Sequence, residues 1–331
     1  MRRAIIAAVF FAGLIVIAIF LPGLGGSAAG RGIVIAGGSW TERQILAEIA
    51  AQMIRHHIPE ADVTVVNNLG STTLIHYGMM AGDLNLSGGM YTGTSLTGEL
   101  GLPMTTDPAE ALETVTREYD RRFGRKWYPS WGFANTYAFM VSGELAKREG
   151  LRKVSDLARL ASTLRAGVDP SWMEREGDGY AGFTKKYGFS FDSIYPMEVA
   201  LVYKAVSAGE MDVVLGYSTD GRIATYGLAV LEDDLHFFPP YDASLVATHR
   251  VLEQWPGLDA VLTRLAGTVD TTQMQRMNRE ADEDLVSPQT VARQFLEANH
   301  YFEEDFSPAQ LEQTPPPLRG KELGGEGEDS L

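Results

Sequence analysis

The chain has 331 residues, a formal net charge of −15 and no cysteine. Its length exceeds what one compact core usually supports, and 45% hydrophobic against 21% charged residues is a folding composition, so two globular lobes are expected. The acidic balance, without any basic stripe, argues against nucleic acid as a partner, and the missing cysteines exclude disulfides, thiol catalysis, thiolate metal sites and a lipid carried on an N-terminal cysteine.

In chain order, Arg2 and Arg3 precede the apolar run 4–21, and Ser27, Ala28 and Ala29 supply the small residues that a signal peptidase reads. Residues 1–29 are therefore expected to be an export signal cleaved near Ala29. The rival is an uncleaved membrane anchor, because an apolar run of this length also spans a bilayer. In either case the rest of the chain is expected outside the cytoplasm, in the periplasm.

GIVIAGG at 32–38 reads as a strand and turn, followed by a helix over 41–54 (TERQILAEIAAQMI). VTVVNN is a second strand, LG a turn, and 71–80 a helix. A third strand begins at 85–88 and runs into SGGMYTGTSLTG, where one large ring, Tyr91, stands among small residues that let something come close to it. After a helix over 108–123, the aromatic, proline-containing WYPSWGF of 127–133 breaks the pattern and reads as the first crossover between lobes. Strands at 137–141, 165–168 and 212–215 alternate with helices at 144–150, 154–160, 181–187 and 198–207. Residues 228–231 carry the chain back, and everything from 247 onward reads as helix. Residues 306–331, rich in Pro, Gly and acid, are expected to be a disordered tail. The alternation predicts an α/β fold with parallel sheets and a cleft between two lobes, lobe 1 being 31–128 plus 232–305 and lobe 2 being 129–231.

The usual catalytic signatures are missing: the chain has no nucleophile elbow, P-loop, zincin helix or dinucleotide fingerprint, so neither an enzyme nor a cofactor is expected. His56 and His57 are adjacent, diverge on a helix and are not expected to hold a metal. The tyrosines carry more. Four of the 13, Tyr91, Tyr137, Tyr217 and Tyr241, sit at strand or loop ends among small or turn-forming residues, two in each lobe. Beyond strand ends is where open α/β sheets bind ligands. Rings converging across a cleft form an aromatic cage for a quaternary ammonium, which has no N–H to donate but is held by ring faces at about 0.5 to 2 kcal/mol each. For the opposite end of a zwitterion, the turn LGSTT at 69–73 offers backbone N–H groups and the Ser71 and Thr72 hydroxyls to a carboxylate, simple N-capping being the alternative. Gln44 completes a Thr41-x-x-Gln44 capping-box pattern and also lies near the cleft.

TERQILAEIAAQMI, VNNLGSTTLIH, GMYTGTSLTGEL, WGFANTYAFMVSGELAKREGLRKVSDLA, DPSWMEREGDGYAGFTKKYGF, MDVVLGYSTDGRIA and FFPPYDASLVA resemble, in order, the substrate-binding proteins of ABC importers for glycine betaine, carnitine and choline. The resemblance covers residues 33–303. It implies a type II periplasmic-binding-protein fold, two-lobed with two hinge crossovers, that closes on a ligand in the interlobe cleft and delivers it to a permease in the inner membrane; a monomer is expected. It also implies a cage on Tyr91, Tyr137, Tyr217 and Tyr241, with Gln44, Ser71 and Thr94 at the polar end and Asn135 beside Tyr137. Threonine at position 94, where choline-restricted members carry aspartate, resembles the broad type that also takes glycine betaine and carnitine. Many relatives are lipoproteins anchored by an N-terminal cysteine, so this chain is expected to be free or held by its own uncleaved helix. Two rival readings remain at this stage: a receptor of the same fold for an amino acid or another trimethylammonium compound such as ergothioneine, and an enzyme acting on choline-like substrates.

Overall fold

The computed structural model describes residues 32–303 apart from Glu176; the segments 1–29 and 306–331 lie outside the described residues. Two five-stranded sheets organise the chain. In β1 (Ile33–Gly38), Ile33 and Ile35 join one core while Val34 and Ala36 join another. A strand apolar on both faces needs helices on both sides. The first face is covered by α1 (Thr41–His57) and the four helices after residue 248. These are α10 (His249–Gln254), α11 (Leu258–Thr263), α12 (Thr271–Asp282) and α13 (Pro288–Ala298). The second is covered by α2 (Thr72–Ala81) and α4 (Pro108–Phe123), through Ile75, Met79, Val115 and Tyr119. Local chemistry sets their ends: Asp107 caps α4 ahead of Pro108, and Gly124 closes it at φ 60°.

The first sheet has the order β2 (Val63–Asn67), β1, β3 (Leu86–Tyr91), β10 (Asp242–Thr248), β4 (Arg125–Ala134). The second runs β7 (Ser193–Pro196), β6 (Arg165–Val168), β8 (Val213–Tyr217), β5 (Tyr137–Ser142), β9 (Leu228–Val230). It too is buried on both faces, with Phe139 and Val141 in one core and Ala138 and Met140 in the other, the latter under α8 (Val199–Ser207).

Three expectations need correction. The sheets are mixed and not purely parallel: β10 runs antiparallel to β3 and β4, and β5 antiparallel to β8 and β9. Each is the strand by which the chain arrives from the other lobe, and it enters from the cleft side. Second, WYPSWGF is strand and not crossover. Proline and glycine are tolerated in β4 because it is an edge strand with register shifts, and Trp127, Tyr128, Trp131 and Phe133 are all buried beneath it. The first sheet therefore continues through Ala134, and the outward crossover is Asn135–Thr136 instead of the boundary after 128. Third, Phe237 and Phe238 still pack in the second lobe, so the return crossover is Pro239–Tyr241, after the boundary drawn at 231, and β10 follows over 242–248, its last two residues falling where helix had been expected from 247.

Candidate functional site

The antiparallel entry of β5 and β10 brings the tyrosines together. Tyr91 ends β3 and Tyr217 ends β8, whereas Tyr137 begins β5 and Tyr241 directly precedes β10. Strand ends and antiparallel strand starts share one edge of each sheet, and the two edges face each other. All four rings line one interlobe cavity of about 790 Å³, together with Ser71, Thr94 and Asn135. That volume suits a small-molecule ligand.

Tyr137 and Tyr217 are cross-strand partners whose rings stack at 5.2 Å between centroids and 30° between planes. The Tyr137 hydroxyl donates to Asp169 Oδ2 at 3.1 Å, and the Tyr91 hydroxyl donates to Glu42 Oε1 at 2.6 Å. Burial, reinforced by Glu42, raises the Tyr91 phenol well above its ordinary value; burial also raises Tyr137 and Tyr241. These phenols stay neutral, and the Tyr91 and Tyr137 hydroxyls act as donors. The Tyr137 ring already accepts a cation, since the Arg175 guanidinium lies 5.4 Å from its centroid while donating to Asp178 Oδ2 at 2.8 Å.

The small residues around Tyr91 serve a close approach. A Cβ on Gly93 would stand 2.6 Å from Pro240 O and 3.1 Å from the Tyr241 ring, and Gly93 N–H donates to that same Pro240 carbonyl at 2.9 Å. The turn after Tyr91 thus holds the return crossover and sets the distance between two rings. Gly93→Val is expected to displace Tyr241 and lower ligand affinity at least about tenfold, with far-UV circular dichroism unchanged because the clash lies at the cleft and outside either core.

The polar candidates separate. Ser71 accepts from Leu74 N–H at 3.2 Å as the N-cap of α2, the alternative drawn for it, and it also lines the cleft. Thr94 and Asn135 line it as well. Gln44 does not: its Nε2 donates to Gly38 O at 3.5 Å and to Oδ1 of the exposed Asn68 at 3.4 Å. Nor does a capping box form, since the N-cap is Trp40, without a side-chain cap, and Thr41 Oγ1 donates instead to Asp282 Oδ1 at 2.6 Å. One helical position separates Thr41 from Glu42, and it is Glu42 that turns inward, joined in the wall by Arg43, Asp169, Arg175 and Asn278. None of the five was singled out from sequence. An acid in the first turn of a helix ordinarily reads as a solvated partner of the helix dipole, yet Glu42 is only 4% exposed.

Two α/β lobes joined by two crossovers, with aromatic and polar groups from both lobes facing one cleft, define the class of two-lobed substrate-binding proteins. Residues 31–298 match the family described as the substrate binding domain of the ABC-type glycine betaine transport system, and the chain belongs to that family. It is 48% identical over 283 residues to the carnitine transport binding protein OpuCC of Listeria monocytogenes, covering 86% of this chain and 91% of that one. It is 32% identical over 290 residues to a glycine-betaine-binding protein of Pseudomonas aeruginosa, covering 84% and 91%. A crystal structure described as that of a glycine betaine/carnitine/choline ABC transporter superposes with a TM-score of 0.80 at 47% identity, over 82% of this chain and 99% of that one. Substrate-binding proteins of ABC importers are extracytoplasmic, and they are receptors that hand a solute to a permease.

Proposed function

We propose that this protein is the extracytoplasmic receptor of an ABC importer for quaternary ammonium osmoprotectants, binding glycine betaine, carnitine and choline without transforming them. The observation that carries the reading is the convergence of four tyrosines, Tyr91 from lobe 1, Tyr137 and Tyr217 from lobe 2 and Tyr241 from the return crossover at the start of β10, on one cavity with Ser71 and Thr94 in the same wall. The trimethylammonium group lies among the rings, and a ligand carboxylate meets the Ser71 end of α2 and Thr94. Ring pairs divided between lobes bind the closed state better than the open one, which is what closure by a ligand requires. The fold alone would equally suit an amino acid; it is the cage that favours a cation lacking N–H donors.

Calorimetry with glycine betaine, carnitine, choline, proline betaine and ergothioneine tests the reading, with tryptophan fluorescence reporting closure. Expected are micromolar or tighter binding of the first three, about −8 kcal/mol or better, and recovery of unchanged ligand afterwards. Binding of ergothioneine alone, or turnover of any ligand, refutes it. Thr94→Asp should weaken glycine betaine about tenfold or more through carboxylate repulsion while sparing choline. Unchanged glycine betaine affinity would remove Thr94 from the carboxylate end.

A further inference from the structure

Glu42 is a buried carboxylate at the base of the cleft, and its hydrogen-bond partners donate to it. Its Oε1 accepts from the Tyr91 hydroxyl at 2.6 Å and from Asn135 Nδ2 at 3.0 Å; its Oε2 accepts from Asn278 Nδ2 at 3.2 Å. Three donors on two oxygens is the pattern that satisfies an ionised carboxylate. The partners come from three places. Tyr91 belongs to the cage, and Asn135 is the outward crossover. Asn278 sits on α12 in lobe 1 and also donates to Thr219 O at 2.9 Å, in the lobe 2 loop that follows Tyr217. The amide orientations follow from this, because turning Asn278 over would set its Oδ1 against both Glu42 Oε2 and the Thr219 carbonyl.

A second charge faces the same ring. Arg43, 4% exposed, holds its guanidinium carbon 5.6 Å from the Tyr91 centroid and donates from Nε to Gly89 O at 2.9 Å. Burial lowers its pKa, while Tyr91, Glu99 and Glu42 oppose that shift. Without Glu42, the acid that bonds the same ring, Arg43 would be offset by Glu99 alone of these two acids, and the Tyr91 side of the cage would become more positive, repelling the group the rings are arranged to hold.

We infer that Glu42 is a positioning and specificity-determining residue: it fixes the Tyr91 ring to the hinge and, by offsetting Arg43, lets the site accept ligands of net positive charge. This rests on the proposed cage and adds a charge selectivity to it. Choline carries one net positive charge, whereas glycine betaine is neutral overall, its carboxylate gaining from a more positive site what its ammonium loses.

The test is the ratio of the choline and glycine betaine dissociation constants, measured by calorimetry on the full protein with thermal unfolding alongside. Glu42→Gln, nearly isosteric, is expected to weaken choline by about tenfold to a hundredfold more than glycine betaine, as loss of a charge at intermediate dielectric predicts. Arg43→Gln should move the ratio the opposite way, so the proposal stays testable if Glu42→Gln does not fold. Glu42→Asp should weaken both ligands while leaving the ratio within about threefold of wild type, its charge surviving but its reach shortened. Equal losses of both ligands in Glu42→Gln, or an unmoved ratio in Arg43→Gln, overturn the charge role and leave only packing. Wild-type protein that binds neither ligand overturns the cage itself, a distinct outcome read before any variant is made.

Discussion

Alanine in place of Tyr217 is expected to weaken binding of glycine betaine and choline by about thirtyfold, some 2 kcal/mol, whereas phenylalanine should cost no more than about threefold. The asymmetry follows from what the ring does. Tyr217 ends β8 partly buried, with its ring stacked on Tyr137 and lining the cleft, while its backbone N–H is tied to the Tyr203 hydroxyl at 2.7 Å. Removing the ring takes away one cation-binding face and uncovers one side of Tyr137, but it leaves the strand end where it is. Phenylalanine keeps the face. A neutral carbon isostere of choline, with a tert-butyl group for the trimethylammonium, separates charge from greasiness: it should bind wild type far more weakly than choline, and alanine at 217 should narrow that gap. Equal losses from Tyr217→Ala and Tyr217→Phe would mean that hydroxyl groups recognise the ligand.

The tyrosines were legible in the sequence because a large ring among glycines and threonines violates the pattern of core residues. Apolar periodicity likewise gave β1, α4 and the start of α1, which runs on past the expected 54 to His57. What escaped was non-local. β4 carries a proline and a glycine that local rules forbid in a central strand, and only its place at the sheet edge permits them. Residues 242–246 suggest no element by themselves, and β10 is recognised only through its partners β3 and β4. Gln44 and Glu42 are two positions apart in the first turn of one helix, a little over half a turn of rotation, and which of them faces the cleft depends on where the helix starts. A start at Thr41 with no capping box turns Glu42 in and Gln44 toward Asn68. The buried carboxylate could be found only once Tyr91, Asn135 and Asn278, far apart in sequence, had been brought around it.

The largest effect on folding is expected at a residue that touches no ligand. A Cβ on Gly88 would stand 2.5 Å from both the Cα and the N of Ala47, which are backbone atoms of α1, so no side-chain rotation relieves it. The neighbouring Gly89 is different, since its added Cβ would meet side chains alone, the Leu46 Cδ1 tip at 3.1 Å and Arg43 Cγ at 3.7 Å. Gly88→Val is therefore expected to cost at least about 3 kcal/mol, a large share of the roughly 5 to 15 kcal/mol that holds a domain together, and Gly89→Ala about 1 kcal/mol or less. Thermal or urea unfolding followed by circular dichroism measures both; equal stability of the two variants would contradict the close packing of α1 on β3. The same approach matters for the site. With Gly88 at their contact, α1 lies close enough to β3 for Glu42 near one end to reach the Tyr91 hydroxyl at the other, and the Gly88 carbonyl accepts from Trp131 Nε1 at 2.9 Å, bracing the strand from β4. Gly88→Ala, milder in volume, should then yield a folded protein whose ligand affinity falls by a larger factor than its stability loss alone explains, because lifting the helix draws Glu42 away from the ring it positions.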